Sequence, residues 1–256
     1  MNIRTILIIV IIIIILYYLI RWFTSDPTTL TTIMSGTTQT TIDYSSLSKT
    51  ENGSVPSNFT YSMWFYINDW NYRYGEPKVL FGRMASTTDT NSNSTLEGVS
   101  GQGPCPVVVL GAISNNLDIA MTVYPSLSNE SQITDNTQST IHRCSLSNVP
   151  IQKWVNLLIS VYGRTLDVYL DGKLVKTCVL PGIAKVNNNS NVYVTPKGGF
   201  SGWTSKFQYF PNATDPQTAW NIYQKGPTNS LSNIWGNYQV KVAVIDNGTE
   251  TGSVTI

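Results

Sequence analysis

Hydrophobic and polar positions follow two different rules along this chain. Residues 6–20 read ILIIVIIIIILYYLI, with no charge and no helix breaker. Taken from 5 to 23 the apolar stretch is 19 residues long, and about 20 helical residues cross a ~30 Å hydrocarbon core. Lipid obliges a backbone to satisfy its own hydrogen bonds, which predicts a helix even for an isoleucine-rich run. Ile6, Ile11, Leu16 and Ile20 form its apolar body, Arg21 can reach the head groups, and Tyr17, Tyr18 and Trp22 suit a bilayer boundary. The following LIRWFTSDP lacks the small residues of a cleavage site, so the expectation is an uncleaved anchor over 1–23. Arg4 and the α-amino group precede the segment and Arg21 follows it, which leaves orientation close to a tie. The preferred arrangement keeps the short leader inside and the large domain on the far side.

A Ser/Thr-rich linker is expected over 24–36, and beyond it the pattern changes to short apolar runs between turn residues. Strands are predicted at TQTTID (38–43), FTYSMWFYI (59–67), KVLFGRM (78–84), VVVLGAI (107–113) and LDIAMTVY (117–124). The last two read as a hairpin. FTYSMWFYI carries apolar residues on both faces, so it belongs in the middle of a sheet or under a loop. WVNLLISVY (154–162), TLDVYL (165–170) and KLVKTCVL (173–180) spell out a meander, with Asp171-Gly172 predicting a type I′ turn. NVYVT (191–195), SKFQYF (205–210) and YQVKVAVID (238–246) follow. Short strands with turn signals about every 8–12 residues indicate an all-β antiparallel sandwich or barrel. One short helix interrupts them, with Asp215 as N-cap, Pro216 at its first position and Gly226 closing it. Residues 85–103 and 126–143 read as long surface loops.

Composition narrows the chemistry. Of 256 residues only 12% are charged, about half the usual ~25%, and Lys+Arg 16 against Asp+Glu 15 leaves a net charge of +1. A nucleic-acid binder needs a clustered basic face, so no nucleic-acid partner is expected. The single histidine, His142, removes every His-dyad metal site and leaves a catalytic triad one base at most.

Three segments then carry a resemblance: FTYSMWFYINDW, the Trp-initiated meander WVNLLISVYGRTLDVYLDGKLVKTCVLPG, and GGFSGWTSKFQYFPNATDPQTAWNIYQKG. Their order resembles the laminin G-like, concanavalin A-like jelly roll over 37–256. The wording is similar to membrane-anchored laminin G-like proteins of large double-stranded DNA viruses of algae and amoebae. The resemblance implies a virion or minor capsid-associated protein at the interface of internal membrane and capsid, with the bilayer and capsid or other virion proteins as partners.

Candidate sites were weighed one by one. Jelly-roll glycosidases need two carboxylates about 5–5.5 Å apart on one strand face. Glu51, Glu76, Glu97, Glu130 and Glu250 are isolated, and Asp167 with Asp171 brackets a hairpin turn, so no catalytic residue is assigned. Calcium, frequent in laminin G-like domains, has Asp69, Asp89, Asp118, Asp135, Asp215 and Asp246 in or near loops, but no spacing marks a cage, so no cofactor or metal site is assigned and calcium is left open. A sugar or partner-protein patch is offered by Asn68, Asp69, Trp70, Asn71, Tyr72 and Tyr74, rings beside planar polar groups. The preferred reading of the rings is that they cover the mouth of the sandwich or meet a neighbouring protein. Trp64, Trp154, Trp203 and Trp220 are expected in the core or against the helix. Cys144, in an expected loop, and Cys178, in a strand, are a candidate disulfide with Cys105 left over, three free thiols being the alternative. Sequons stand at Asn52, Asn58, Asn93, Asn129, Asn188, Asn212 and Asn247. The expected function is a non-enzymatic structural protein of a virion, tied to a membrane; the alternative is a tethered lectin for host-surface glycans.

Overall fold

A computed structural model describes residues 11–12, 14–19, 28–47, 56–84, 103–124, 140–187, 189–228, 241–246 and 249–255. The chain divides into two compact units, Pro27–Pro227 and the two terminal segments Met1–Asp26 with Thr228–Ile256. In the terminal unit, residues 11–12 and 14–19 are helical and their side chains, Ile11 and Leu16 among them, are exposed. Ile6, Ile20, Arg21 and Trp22 lie outside the described residues, and among the described residues no helix is long and apolar enough to cross a membrane.

Pro27–Pro227 is an antiparallel sandwich of two sheets. The strands, in chain order, are β1 (Met34–Ser35), β2 (Thr40–Ile42), β3 (Phe59–Asp69), β4 (Lys78–Arg83), β5 (Val107–Leu110), β6 (Leu117–Val123), β7 (Thr140–Leu146), β8 (Trp154–Tyr162), β9 (Thr165–Leu170), β10 (Lys173–Val179), β11 (Val192–Val194) and β12 (Ser201–Phe210). The first sheet runs β1-β12-β3-β8-β9-β10 and the second β2-β11-β4-β5-β6-β7. β3 is central, as its two apolar faces require. Phe59, Tyr61, Met63, Phe65 and Ile67 point inward from it and meet Phe81, Val108, Leu110, Ile119, Phe207 and others from both sheets. Tyr61 is the hub, with Phe81, Phe207 and Tyr209 ring centroids at 5.6, 5.8 and 5.0 Å. Burial of its hydroxyl pushes the Tyr61 pKa far up, against the counter-pull of Arg83.

Local chemistry sets the connections. Asp171 (φ 50) and Gly172 (φ 73) both sit left-handed, as the type I′ hairpin demands. A Cβ on Gly172 would stand 2.9 Å from the Trp220 ring and 3.0 Å from the Tyr223 Cβ, so a second reason keeps glycine there. α1 (Pro216–Gln224) begins where expected: Asp215 accepts from the Thr218 N–H at 2.9 Å and from the Thr218 hydroxyl at 2.7 Å. These bonds lower the Asp215 pKa.

Several expectations are corrected. The linker assigned to 24–36 contributes to the sandwich: β1 pairs with β12, and the Leu30 N–H donates to the Phe207 carbonyl at 2.8 Å. The C-terminal strand is not part of the sandwich. β13 (Lys241–Asp246) pairs with β14 (Thr249–Thr255) in a two-stranded sheet of its own within the terminal unit, while the unit that holds the two sandwich sheets is Pro27–Pro227. Residues 140–143 are strand, not loop, because β7 extends the second sheet against β6. Cys144 is therefore a strand residue. The structure joins it to Cys178, across the end of the sandwich where β7 and β10 are the two edge strands. The third thiol, Cys105, is buried and free, and burial pushes its pKa to about 12.

Candidate functional site: an aromatic row on the first sheet

The alternation of β3 decides which rings are usable. With Phe65 and Ile67 in the core, Tyr66 between them faces outward. Register places Trp203 of β12 directly across from Tyr66 on one side and Trp154 of β8 on the other. The ring centroids are 5.6 Å (Tyr66–Trp203) and 5.8 Å (Tyr66–Trp154) apart, each pair inclined at 60°. Trp203 is 44% exposed, and Tyr66 and Trp154 are half-buried. Three strands thus carry one line of indole, phenol and indole on the outer face.

The same face is closed further along. Trp64, two residues before Tyr66, stacks on Tyr223 of α1 at 5.6 Å and 20°. Leu158, Tyr169, Ala219 and Ile222 fill the seam between sheet and helix. The helix is held in place by a polar column: Ser160 Oγ donates to the Thr214 carbonyl (3.3 Å) and accepts from its N–H (2.9 Å), and Thr60 Oγ1 donates to the Asn212 carbonyl at 2.9 Å. The helix covers Trp64, whereas Trp203 in the row keeps 44% of its surface exposed among the described residues.

Neutral polar groups border the rings. Asn68, exposed at the end of β3, lies on the face of Tyr66, and the Gln152 amide donates to the Asn68 carbonyl at 3.5 Å. Next in the chain to Trp154, Lys153 Nζ pairs with Asp171 Oδ2 at 3.0 Å, while Asp171 Oδ1 accepts from the Asn156 N–H at 2.9 Å.

The patch expected at 68–74 is divided by the structure. Asn68 joins the ring row. Asp69 caps the turn by accepting from the Asn71 N–H at 2.9 Å. Trp70 packs against the core, donates from Nε1 to the Ile113 carbonyl at 3.0 Å, and has Lys78 Nζ 4.9 Å from its centroid. Tyr72 donates to the Gly198 carbonyl at 3.1 Å, and Arg73 pairs with Glu76 at 2.8 Å. Asn71 and Tyr74 remain exposed, Tyr74 at 59%. Trp70 and Tyr72 are half-buried, each tied by its polar edge to a backbone carbonyl far away in sequence. Conversely, of the rings expected in the core or against the helix, Trp64 packs against α1, Trp203 and the half-buried Trp154 stand on the outer face of the sheet, and Trp220 on α1 is partly exposed. The available signal was the Phe65-Tyr66-Ile67 alternation; the partners of Tyr66 needed the register.

Of the carboxylates weighed for hydrolysis, Glu51, Glu97 and Glu130 lie outside the described residues. Asp167 accepts from the Thr177 hydroxyl at 2.6 Å and Asp171 serves its hairpin. Among the described residues no group of three His, Cys, Asp or Glu side chains gathers to hold a metal ion. Of the loop aspartates offered for calcium, Asp69 and Asp215 cap a turn and a helix and Asp118 accepts from the Ser145 hydroxyl; Asp89 and Asp135 lie outside the described residues.

No known protein-family model matches the chain, and no curated protein matches it. Among solved structures it is similar to the botulinum neurotoxin DC binding domain in complex with SialylT (14% identity, TM-score 0.45, 66% of this chain and 35% of that one). It is similar also to the same toxin's binding domain in complex with rat synaptotagmin II (13%, 0.48, 76% and 42%) and to the serotype D ligand-binding domain in complex with N-acetylneuraminic acid (10%, 0.48, 78% and 43%). The chain spans less than half the length of these structures. Likeness of this degree carries nothing about ligand or activity over to the present chain.

Proposed function

We propose that the chain is a non-enzymatic, membrane-tethered binding protein that holds neutral glycans on the Trp154–Tyr66–Trp203 row. The row carries this reading: a sugar ring presents an apolar C–H face to an aromatic ring and its hydroxyls to planar amides, and Asn68 and Gln152 stand beside the rings. The cation next to the row, Lys153, is already paired with Asp171, which favours neutral sugars over acidic ones. The tether is the apolar segment 5–23, long enough to span a bilayer. A glycan array probed with the full chain in detergent tests the proposal. Binding that is lost in Trp203→Ala supports it; a blank array, or binding indifferent to both Trp203 and Trp154, overturns it.

A second reading, a structural protein of a virion docked on capsid or neighbouring proteins, is favoured by β10. Among the described residues no strand pairs with its outer side, and Leu174, Val175 and Val179 are exposed on it. An edge of that kind is a template for adding a strand from a partner. Purified particles that lack the protein would exclude this reading.

A further inference from the structure

Two features away from the ring row bear on where the sandwich folds. The first is the Cys144–Cys178 disulfide, which clasps β7 to β10 at the edge shared by the two sheets. Such a bond persists in an oxidising compartment, whereas cytosolic thiols are kept reduced. The buried Cys105, its thiol held protonated, takes no part in exchange.

The second is the sequon Asn212-Ala213-Thr214. It lies in the connection from β12 to α1, with the Asn212 side chain exposed. Its backbone is fixed from both ends, by Thr60 on the Asn212 carbonyl and Ser160 on Thr214. The other described sequon is the reverse case. Asn58 Oδ1 accepts from the Gly163 N–H at 2.8 Å to hold the β8–β9 turn, and the sequon hydroxyl of Thr60 is buried within β3.

We propose that the sandwich is delivered to the oxidising, lumenal side of a secretory membrane, with the residues ahead of the apolar segment left in the cytosol, and that Asn212 is an acceptor for an N-linked oligosaccharide. The orientation rests on the tether of the proposed function; the acceptor site does not. In the transfer, the Asn212 amide nitrogen loses one proton and forms a bond to the anomeric carbon of a polyprenyl-diphosphate-linked oligosaccharide. The anomeric carbon–oxygen bond breaks and the polyprenyl diphosphate leaves with the electron pair. The disulfide forms by exchange with a disulfide-carrying thiol oxidoreductase, which accepts two electrons and two protons and leaves as the dithiol.

The test expresses the full chain in a eukaryotic secretory host, removes glycans enzymatically in heavy-oxygen water and maps peptides under non-reducing conditions. The expected result is a heavy-oxygen aspartate at 212, an unlabelled Asn58, and Cys144 and Cys178 recovered in one linked pair. Asn212→Gln should lose one glycan's step in gel mobility and keep the disulfide. An unlabelled Asn212, whatever the other sequons show, overturns the acceptor site. Cys144 and Cys178 both open to alkylation overturn the lumenal placement. A labelled Asn212 on a chain that carbonate strips from membranes overturns the tether and the orientation and leaves the acceptor site standing.

Discussion

Lys78 Nζ lies 4.9 Å from the centroid of the Trp70 ring, and the ring closes one end of the sandwich over it. Lys78 is 1% exposed, and its amine has no hydrogen-bond partner among the described residues. Burial lowers its pKa, with Arg73 adding to the effect and Glu76 opposing it. A buried unpaired amine opposes folding, offset in part by the ring face.

Replacing Lys78 by methionine is therefore expected to stabilise the domain by roughly 1–3 kcal/mol, the desolvation penalty of a polar group removed and a thioether placed on the ring. The sign with pH follows from the lowered pKa. Between that lowered value and the ordinary ~10.4 of lysine, the folded state binds fewer protons than the unfolded state, so this site adds stability as pH rises. The Lys78→Met advantage should thus be fullest near neutral pH and shrink in alkali. Urea unfolding of both proteins at several pH values measures it; a less stable variant would contradict the assignment.

Opening the disulfide has the opposite effect. Cys144 and Cys178 are 34 residues apart in sequence, and constraining a loop of that length contributes about 3–4 kcal/mol in the chain-entropy picture. Cys178→Ser should lower the unfolding midpoint by a corresponding amount. Reductant should destabilise the parent and leave the variant unmoved.

Asp215 provides an acid-side prediction. Its carboxylate accepts from Thr218, which lowers its folded pKa below the unfolded value. Its contribution is present above the ordinary aspartate value of ~3.9 and is lost as pH falls through the folded one. Asp215→Ala should lower the melting temperature by a few degrees near neutral pH, and the gap from the parent should close as the buffer is acidified. A gap that persists in strong acid would place the effect outside the carboxylate.

The ring row separates binding from stability. Trp203 is exposed and Trp64 is sealed under Tyr223, so Trp203→Ala should abolish glycan retention with the melting temperature nearly unchanged. Trp64→Ala should cost about 3–5 kcal/mol, as for other buried aromatic truncations. Affinity electrophoresis beside thermal melts reads both. If Trp203→Ala melts early and still binds, the roles are reversed.

Much of this was written locally. The β3 alternation, the Asp171-Gly172 hairpin and the Asp215-Pro216 helix start each depend on residues within a few positions of one another, so their chemistry is visible in one stretch of text. The surroundings of the 68–74 stretch were not legible in the same way: Trp70 meets Ile113 and Lys78, and Tyr72 meets Gly198. Those partners are distant in sequence and carry no local mark.

By itself, then, the order of residues determined an apolar N-terminal segment, an all-β body with one capped helix, and a supply of rings. Tertiary structure alone decided that Trp154, Tyr66 and Trp203 form one row, that α1 covers Trp64, and that Cys144 meets Cys178. Periodicity and capping are short-range properties of a backbone. Which faces meet is fixed by strand register and sheet order, which are settled only when the two sheets bury their apolar faces against each other.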